Sequence, residues 1–250
     1  MRPPRARLPC YDARPQGGPA DGRVLPLHAA FARRRSASNA LVGTAPWRVT
    51  LAILLAAGAG RRMGEAKALL DLGGRSALQR CLEALAAGGC DERRVVLGPG
   101  GDEVLREVPG PRPEVVINPH PERGQTGSLK LALARGAGRG ELFVLHTVDH
   151  PLVAAADVRE LLDAAARRPA GRRIVLPVVG GRRGHPALFE AGLAAEFTAL
   201  GDDEPAHRVP RRDPARVLEV PRDNPWLVRD LDTPADLAEA RAWLATGRGG

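Results

Sequence analysis

The sequence predicts a three-layer α/β fold in which helices cover both faces of a mostly parallel sheet. From residue 49 onward, short apolar runs alternate with longer segments of helical periodicity, as in repeated β-α units. The first of these runs, Leu51–Leu55, is apolar throughout, as expected for a strand buried on both faces of a parallel sheet. In such folds the ligand binds at the carboxyl ends of the strands.

The individual elements follow from these runs and from the residues that bound them. The predicted strands are Leu51–Leu55, Arg94–Leu97, Val115–Ile117, Leu142–Leu145, Ile174–Val179 and Val228–Asp232. The predicted helices are Ala77–Ala87, Asp102–Val108, Thr126–Arg135, Val158–Arg167 and Pro234–Leu244. Local signals support three helix ends: glycines follow the first helix, Thr126 is the candidate N-cap of the third, and Pro234 occupies the first turn of the last.

Charge separates the first 48 residues from the rest of the chain. Residues 1–48 hold nine arginines against two aspartates, a net charge of +7, which leaves +1 of the total +8 for the remaining residues. The segment is also rich in Pro and Gly and lacks sustained periodicity. We therefore predict a disordered Arg/Pro-rich extension over 1–48 and one folded domain over 49–250. The nearly neutral domain does not favour a nucleic-acid partner.

The same features give an expectation about location. The extension lacks the continuous apolar region of a secretory signal, and no apolar run is long enough to span a membrane. The three cysteines, Cys10, Cys81 and Cys90, form no C-x-x-C pair, which favours reduced thiols over disulfides or a zinc site. We expect a cytoplasmic protein with no membrane partner.

A glycine-rich loop with interleaved cations follows the first strand. It contains Gly58, Gly60, Arg61, Arg62, Gly64 and Lys67. Glycines bring backbone N–H groups close to a ligand, and cations suit phosphate oxygens. The loop is not a Walker A loop, because Ala68 stands where Ser or Thr should follow the lysine. Its glycine spacing is one residue longer than G-x-G-x-x-G, which disfavours an NAD-binding oxidoreductase.

The lysine in this loop is unusual for this sequence. Of 37 basic residues, only Lys67 and Lys130 are lysines. A lysine retained in the glycine loop indicates that a compact positive charge is needed there, since an arginine cannot replace a point charge on phosphate without changing the geometry. Lys130, on a predicted helix, gives no such indication.

Three aspartates stand at candidate ligand-binding positions. Asp149 follows the predicted strand Leu142–Leu145, where a parallel sheet delivers side chains to the ligand. Asp230 and Asp232 alternate on the predicted strand Val228–Asp232 and would face the same side. Capping a following helix is the alternative role for Asp149 and for Asp232.

Five stretches resemble the molybdenum cofactor cytidylyltransferases, a family of nucleotidyltransferases. The first is the glycine loop itself, LAAGAGRRMGEAKALLDLGGRSAL at 55–78. The others are GQTGSL at 124–129, VDHPL at 148–152, GHPALF at 184–189 and RDLDTPADL at 229–237. The second motif departs from the family at Thr126-Gly127, where serines are usual. The resemblance implies a Rossmann-like nucleotidyltransferase fold for the domain over 49–250.

The resemblance also implies a reaction and its residues. CMP would be transferred from CTP to molybdopterin, with release of pyrophosphate. The implied catalytic residues are Arg62, Lys67 and Asp149. The implied nucleotide-binding residues are Leu55, Ala56, Ala57, Gly58, Gly60, Arg62, Lys67 and Ser128. Magnesium (or manganese) would bind Asp149 together with Asp230 or Asp232. The acceptor would contact Gln125, Thr126 and His185.

Several alternatives stay open at this point. The sequence Leu55-Ala56-Ala57-Gly58 resembles the cytidylyl branch of the family, whereas the guanylyl branch tends to have Leu-Ala-Gly-Gly. A guanylyl or sugar-phosphate nucleotidyltransferase of the same fold is therefore the nearest alternative. A chaperone that carries the molybdenum cofactor to a hydroxylase is another, and such a hydroxylase is the candidate protein partner.

Overall fold

The computed structural model describes residues 50–58, 66–106, 108–110, 112–201 and 203–247. All of them belong to one compact unit, Ala45–Gly250. The predicted extension over 1–48 lies outside the described residues. The same is true of Gly60 and Arg62 in the glycine loop, so their predicted roles stay predictions.

The core of the domain is a mixed, mostly parallel sheet of eight strands. The strands are β1 (Leu51–Ala56), β2 (Glu92–Leu97), β3 (Glu114–Ile117), β4 (Leu142–Thr147), β5 (Ile174–Val179), β6 (Arg182–Arg183), β7 (Ala187–Glu190) and β8 (Val217–Pro221). Their order is β3-β2-β1-β4-β7-β5-β6, with β8 beside β5. Strands β2 and β4 both run parallel to β1, and β3 runs parallel to β2. In contrast, β7 runs antiparallel to both β4 and β5.

Helices cover both faces of this sheet. They are α1 (Ala77–Gly88), α2 (Gly101–Arg106), α3 (Gly124–Leu133), α4 (Ala155–Ala166), α5 (Ala194–Thr198), α6 (Arg208–Arg212) and α7 (Pro234–Ala245). Successive β1 side chains enter different apolar clusters: Leu54 joins α1 and α4, whereas Ile53 joins α3 and α5. Because side chains alternate across a strand, a fully apolar strand must be covered on both faces. The predicted fold class is confirmed.

The predicted strand Val228–Asp232 is wrong. Residues 228–232 form an irregular segment between a short 3-10 turn, Pro225–Leu227, and α7. Its backbone bonds to loops rather than to a neighbouring strand; the Leu231 N–H, for example, donates to the Asp149 carbonyl at 2.9 Å. The alternation of apolar and polar residues that predicted a strand reflects burial instead: Leu231 is buried in the core, whereas its neighbours are more exposed.

The sequence also missed the elements around this segment. Strands β6, β7 and β8 and the short helices α5 and α6 were not predicted. The predicted helices and the other predicted strands are present, with ends that differ by a few residues. Thr126 is not an N-cap: α3 begins at Gly124 after the 3-10 turn Pro121–Arg123, and the Thr126 hydroxyl donates to the Glu204 carbonyl at 2.7 Å.

Two further observations concern the helices and the cysteines. Within the described ranges, no helix is long and apolar enough to cross a membrane. Cys81 and Cys90 are free, buried thiols, and Cys81 lies on the buried face of α1. Burial raises the pKa of Cys90 to about 12, so this thiol is protonated and unreactive at neutral pH.

Candidate active site

Lys67 lies between two carboxylates beside the carboxyl end of β4. Its Nζ donates to Asp149 Oδ1 at 2.8 Å and also to Asp232 Oδ1. The side chains of Lys67 and Asp149 are 15% and 22% exposed, so the ammonium is shielded on most sides. Residues from three distant parts of the chain thus meet at one charged cluster, which we call the Lys67 cluster (Lys67, Asp149 and Asp232).

The parallel pairing of β1 and β4 places Asp149 in this cluster. Leu55 is opposite Thr147 in the register, and the next hydrogen bond runs from the Val148 N–H to the Leu55 carbonyl at 3.0 Å. Asp149 follows directly, in the turn beyond the paired strands. The bond from the Leu231 N–H to the Asp149 carbonyl then holds the irregular segment, and with it Asp232, against the same turn.

Neither Asp149 nor Asp232 caps a helix. At the start of α4, the Ala154 N–H donates to Asp157 Oδ2 at 3.1 Å. At the start of α7, Thr233 and Asp236 cap each other's backbone N–H groups. The alternative role considered for both aspartates is therefore taken by other residues.

The charges of the cluster change the pKa values within it. Burial acts to lower the pKa of Lys67, but the hydrogen bonds and negative charges of Asp149 and Asp232 outweigh it, and the pKa is raised. Lys67 is therefore a fixed positive charge at physiological pH.

Asp230 does not join the Lys67 cluster. Its Oδ1 lies 3.1 Å from His150 Nε2, and the other nitrogen of this ring, Nδ1, lies 2.9 Å from the Thr147 hydroxyl oxygen. Burial, followed by repulsion from Asp149 and Asp232, raises the pKa of Asp230. The prediction that Asp230 and Asp232 share one face of a strand is wrong, because the irregular backbone turns their side chains to different partners.

Three histidines lie together next to the cluster. The ring centroids of His150 and His185 are 4.8 Å apart, and His146 lies 6.4 and 6.2 Å from them. Burial lowers the pKa of all three, that of His146 to about 3. His146 is fully buried, and neither of its ring nitrogens has a hydrogen-bond partner among the described residues. The three rings are neutral imidazoles at pH 7 and supply shape and hydrogen bonds rather than charge.

A cavity of about 640 Å³ lies beside these groups. Part of its lining is apolar and comes from the sheet and α5, including Leu55, Leu145, Phe189 and Phe197. Gln125 also lines it, and its Nε2 lies 3.5 Å from Asp149 Oδ2. The cavity therefore adjoins the Lys67 cluster at Gln125 and is large enough for a small organic molecule.

The structure distributes the remaining predicted site residues between this cavity and the core. Thr126 and His185 line the cavity, as does Leu55 at the end of β1. Ala56 and Ala57 are buried, and Gly58 is exposed where the described part of the glycine loop ends. Ser128 is buried and accepts a hydrogen bond from Asn118 Nδ2 at 2.9 Å, so it stabilises the α3 region and does not line the cavity.

Sequence reasoning missed part of the cavity wall. Arg183, Arg211 and residues 203–207 line it, yet none of them was selected. Arg183 directly precedes the Gly184-His185 motif, a signal that could have been followed. The residues 203–211 carry no comparable signal. His150, next to Asp149 in the sequence, could also have been found.

The Lys67 cluster fits a divalent cation only if the substrate completes the coordination. Asp149 and Asp232 both contact one atom, Lys67 Nζ, so their oxygens converge on a single position. Magnesium and manganese bind one or two carboxylates together with phosphate and water oxygens. In the part of the chain that the structure describes, no group of three or more His, Cys, Asp or Glu side chains is placed to hold a metal ion.

Comparison with known proteins connects this geometry to a family. A family model for the MobA-like NTP transferase domain matches residues 52–217. The nicotine blue oxidoreductase of Paenarthrobacter nicotinovorans is 34% identical over 189 residues, which are 72% of this chain and 85% of that protein.

Two solved structures extend the comparison. Rv0371c of Mycobacterium tuberculosis H37Rv, solved in complex with manganese, has a TM-score of 0.63 at 26% identity, covering 78% of this chain and 99% of its own. A nucleotidyl transferase from Methanothermobacter has a TM-score of 0.67 at 25% identity, covering 80% and 99%. The matched domain spans more than half of the sequence, and the chain therefore belongs to the MobA-like NTP transferase family of nucleotidyltransferase enzymes.

Proposed function

We propose that this protein transfers CMP from CTP to molybdopterin, with Mg²⁺ or Mn²⁺ as the activating ion. The observation that carries the proposal is the Lys67 cluster: one shielded ammonium and two convergent carboxylates lie between the end of the glycine loop and a cavity of about 640 Å³. A triphosphate needs cations and N–H donors, and its acceptor needs an adjoining pocket.

The reaction balances without any further reactant. A phosphate oxygen of the acceptor attacks the α-phosphorus of the nucleotide, the bond to the β-phosphate oxygen breaks, and pyrophosphate leaves. Negative charge grows on the phosphoryl oxygens as this happens. The Lys67 ammonium keeps its charge and stabilises these oxygens. An acceptor phosphate that is already ionised needs no general base, so none of the neutral histidines is assigned that role.

The metal would be held by Asp149 and Asp232. When bound, it would neutralise phosphate charge and polarise the phosphoryl oxygens. Asp232 is the better second ligand because it contacts the same ammonium as Asp149, whereas Asp230 faces His150. Rv0371c, a structural relative of this chain, was solved in complex with manganese, which supports the use of a divalent cation by this chain without indicating its position.

The acceptor side of the proposal rests on the cavity. Gln125, Thr126 and His185, predicted by resemblance to contact the acceptor, line it together with apolar and cationic side chains. A planar heterocycle that carries a phosphate matches such a lining, because aromatic and apolar side chains pack against the ring and arginines donate hydrogen bonds to the phosphate. A molybdenum hydroxylase as partner and a cytoplasmic location belong to the same proposal.

A second candidate function comes from a relative. Nicotine blue oxidoreductase shares 34% identity with this chain, and its name describes hydride or electron transfer rather than nucleotidyl transfer. The glycine spacing of this chain does not match the dinucleotide fingerprint. A lysine between two carboxylates also suits a triphosphate better than a nicotinamide. Guanylyl or sugar-phosphate transfer and a chaperone role are the further alternatives.

One panel of assays separates these functions. Pyrophosphate release is measured with each of the four nucleoside triphosphates, with and without molybdopterin, and oxidation of NADH and NADPH is followed in parallel. We expect release only with CTP and molybdopterin together. Pyrophosphate release with GTP would instead assign the protein to the guanylyl branch of the family. Cofactor oxidation without pyrophosphate release would favour the oxidoreductase, and neither activity would favour a chaperone.

Substitution of the aspartates tests the roles of individual residues. Asp149→Asn keeps the shape and removes one charge, so turnover should fall by about 10²-fold or more, with little change in folding. Asp232→Asn should have a comparable effect and Asp230→Asn a much smaller one, because Asp232 accepts a hydrogen bond from Lys67 whereas Asp230 faces His150. Equal losses in Asp230→Asn and Asp232→Asn would contradict the assignment of the second ligand.

A further inference from the structure

One wall of the cavity is formed by a segment that has no strand or long helix of its own. Residues 203–207 lie between α5 and α6 and contribute five neighbouring lining residues, Asp203, Glu204, Pro205, Ala206 and His207. Within the segment, Glu204 accepts hydrogen bonds from the Gly201 N–H and from Arg208. These local bonds shape the turn but do not fix its distance from the opposite wall.

Two side chains of α3 connect this wall to the body of the domain. The Thr126 hydroxyl donates to the Glu204 carbonyl at 2.7 Å, and Lys130 Nζ donates to the Leu200 carbonyl at 2.9 Å. Thr126 and Lys130 are four residues apart and so lie on one face of α3. Between them in sequence, the buried Leu129 packs in the same apolar cluster as Phe197 of α5. The two donors thus flank an apolar contact and hold the wall at Glu204 and the chain just before it at Leu200.

The same turn of α3 also reaches the Lys67 cluster. Gln125, adjacent to Thr126, lies 3.5 Å from Asp149 Oδ2. Consecutive residues of one helix therefore contact the carboxylate and the cavity wall. Because a helical turn is rigid, the distance between the two is set by α3 rather than by the segment 203–207 itself.

We propose that Thr126 and Lys130 are positioning residues that hold the wall 203–207 at the distance from the Lys67 cluster that the acceptor requires. Neither side chain is assigned to the transfer step, because the Thr126 hydroxyl donates to the Glu204 carbonyl and Lys130 Nζ donates to the Leu200 carbonyl. This inference rests on the proposed function in assigning the cavity to the acceptor. The hydrogen bonds themselves are independent of that assignment.

The test uses paired substitutions of Thr126. Thr126→Val keeps the shape and removes the hydroxyl, whereas Thr126→Ser keeps the hydroxyl. Lys130→Met and Lys130→Arg form a second pair, in which only the arginine retains a donor. Thr198→Val is a matched control, because the Thr198 hydroxyl donates to the Ala195 carbonyl of its own helix and lies outside the cavity lining.

The first measurement is amide hydrogen exchange in a peptide covering 203–209, which needs no substrate. Losing either donor removes a hydrogen bond that holds this part of the chain to α3, so exchange should accelerate about tenfold in Thr126→Val and Lys130→Met. Thr126→Ser, Lys130→Arg and Thr198→Val should exchange like the parent. Thermal unfolding identifies any variant that has lost its overall fold. Parental exchange in both Thr126→Val and Lys130→Met would overturn the proposal.

The second measurement is the kinetics of transfer. The KM for the acceptor should rise about tenfold in Thr126→Val, while kcat and the KM for the nucleotide stay near the parental values. A fall in kcat with an unchanged acceptor KM would overturn the positioning role. If the parent itself transfers no nucleotide to molybdopterin, the proposed function fails, and the exchange experiment still decides whether Thr126 and Lys130 hold the wall.

Discussion

Lys67 lies between Asp149 and Asp232, the two carboxylates proposed above to bind a metal ion, which leads to an unusual expectation for Lys67→Met. Methionine is similar in length to lysine and carries no charge. In the variant, the two carboxylates that now contact the ammonium would face each other without a counter-charge. We expect the variant to be less stable than the parent in the absence of metal, and to gain more stability than the parent when metal is added.

The size of both effects can be worked out from the contacts. Two like charges about 4 Å apart repel by about 4 kcal/mol at an effective dielectric constant of about 20. Because the Asp232 side chain is 40% exposed, solvent screening reduces this to about 1–3 kcal/mol. For a domain of this size each kcal/mol moves Tm by about 2–4 °C, so Lys67→Met should unfold about 2–12 °C below the parent.

The response to metal follows by linkage. In the parent, a cation must displace the Lys67 ammonium from both carboxylates, whereas in Lys67→Met it does not. A tenfold gain in metal affinity adds about 1.4 kcal/mol of stability at saturating metal. Turnover should nevertheless fall by about 10²-fold, because the fixed charge on the phosphoryl group is lost.

Calorimetric unfolding with and without Mn²⁺ measures the metal response directly. The Mn²⁺-dependent rise in Tm should be larger in Lys67→Met than in the parent. The double variant Lys67→Met/Asp149→Asn is the control, and it should lose most of the rise because one carboxylate is gone. A rise in Lys67→Met that is no larger than in the parent would refute the reasoning, as would parental turnover.

Two further predictions concern stability. At Glu190, burial acts to raise the pKa of the carboxyl, but hydrogen bonds and charges from Arg168 and Arg173 outweigh it, and the pKa is lowered. The stability that the Glu190 carboxylate contributes is present above the unfolded pKa of about 4.3 and is lost as the pH falls through the folded pKa. Denaturant unfolding should show that Glu190→Gln is less stable than the parent by about 1 kcal/mol at pH 7. A difference that persists at pH 2 would contradict an electrostatic origin. In Gly184→Ala the added Cβ would overlap the Leu227 carbonyl oxygen, so the backbone beside the cavity must shift. We expect the free energy of unfolding to fall by about 1–3 kcal/mol and acceptor binding to weaken. Unchanged thermal unfolding would refute the clash.

The sequence alone was sufficient for the parts of this protein that depend on local pattern. Fully apolar runs identified the parallel strands β1 and β4, because a strand covered on both faces has no polar side. The glycine loop, the lysine that it contains and the aspartate after β4 follow from the rule that ligands bind at strand ends. The resemblance in five stretches added the reaction class, which the family comparison supports.

The tertiary structure alone decided how the aspartates are used. In a strand pattern Asp230 and Asp232 are equivalent. The backbone at 228–232 is not a strand, however, and is held by individual hydrogen bonds such as that from the Leu231 N–H to the Asp149 carbonyl. This irregular path brings Asp232 to Lys67 and Asp230 to His150. No periodicity records such a path, because it is fixed by partners far away in the chain.

The role of Thr126 was decided in the same way. As a threonine near a helix start it fits the pattern of an N-cap, and a sequence offers no sign of another partner. Its partner is the carbonyl of Glu204, 78 residues away. The sequence thus predicted the parallel strands β1 to β4, strand β5, the longer helices and the residues at the ends of these strands, but not β6, β7, β8, α5 or α6. Only the packing of α3 against α5 decided which side chains meet across the cavity, because such contacts depend on the distance between elements and not on the order of residues within them.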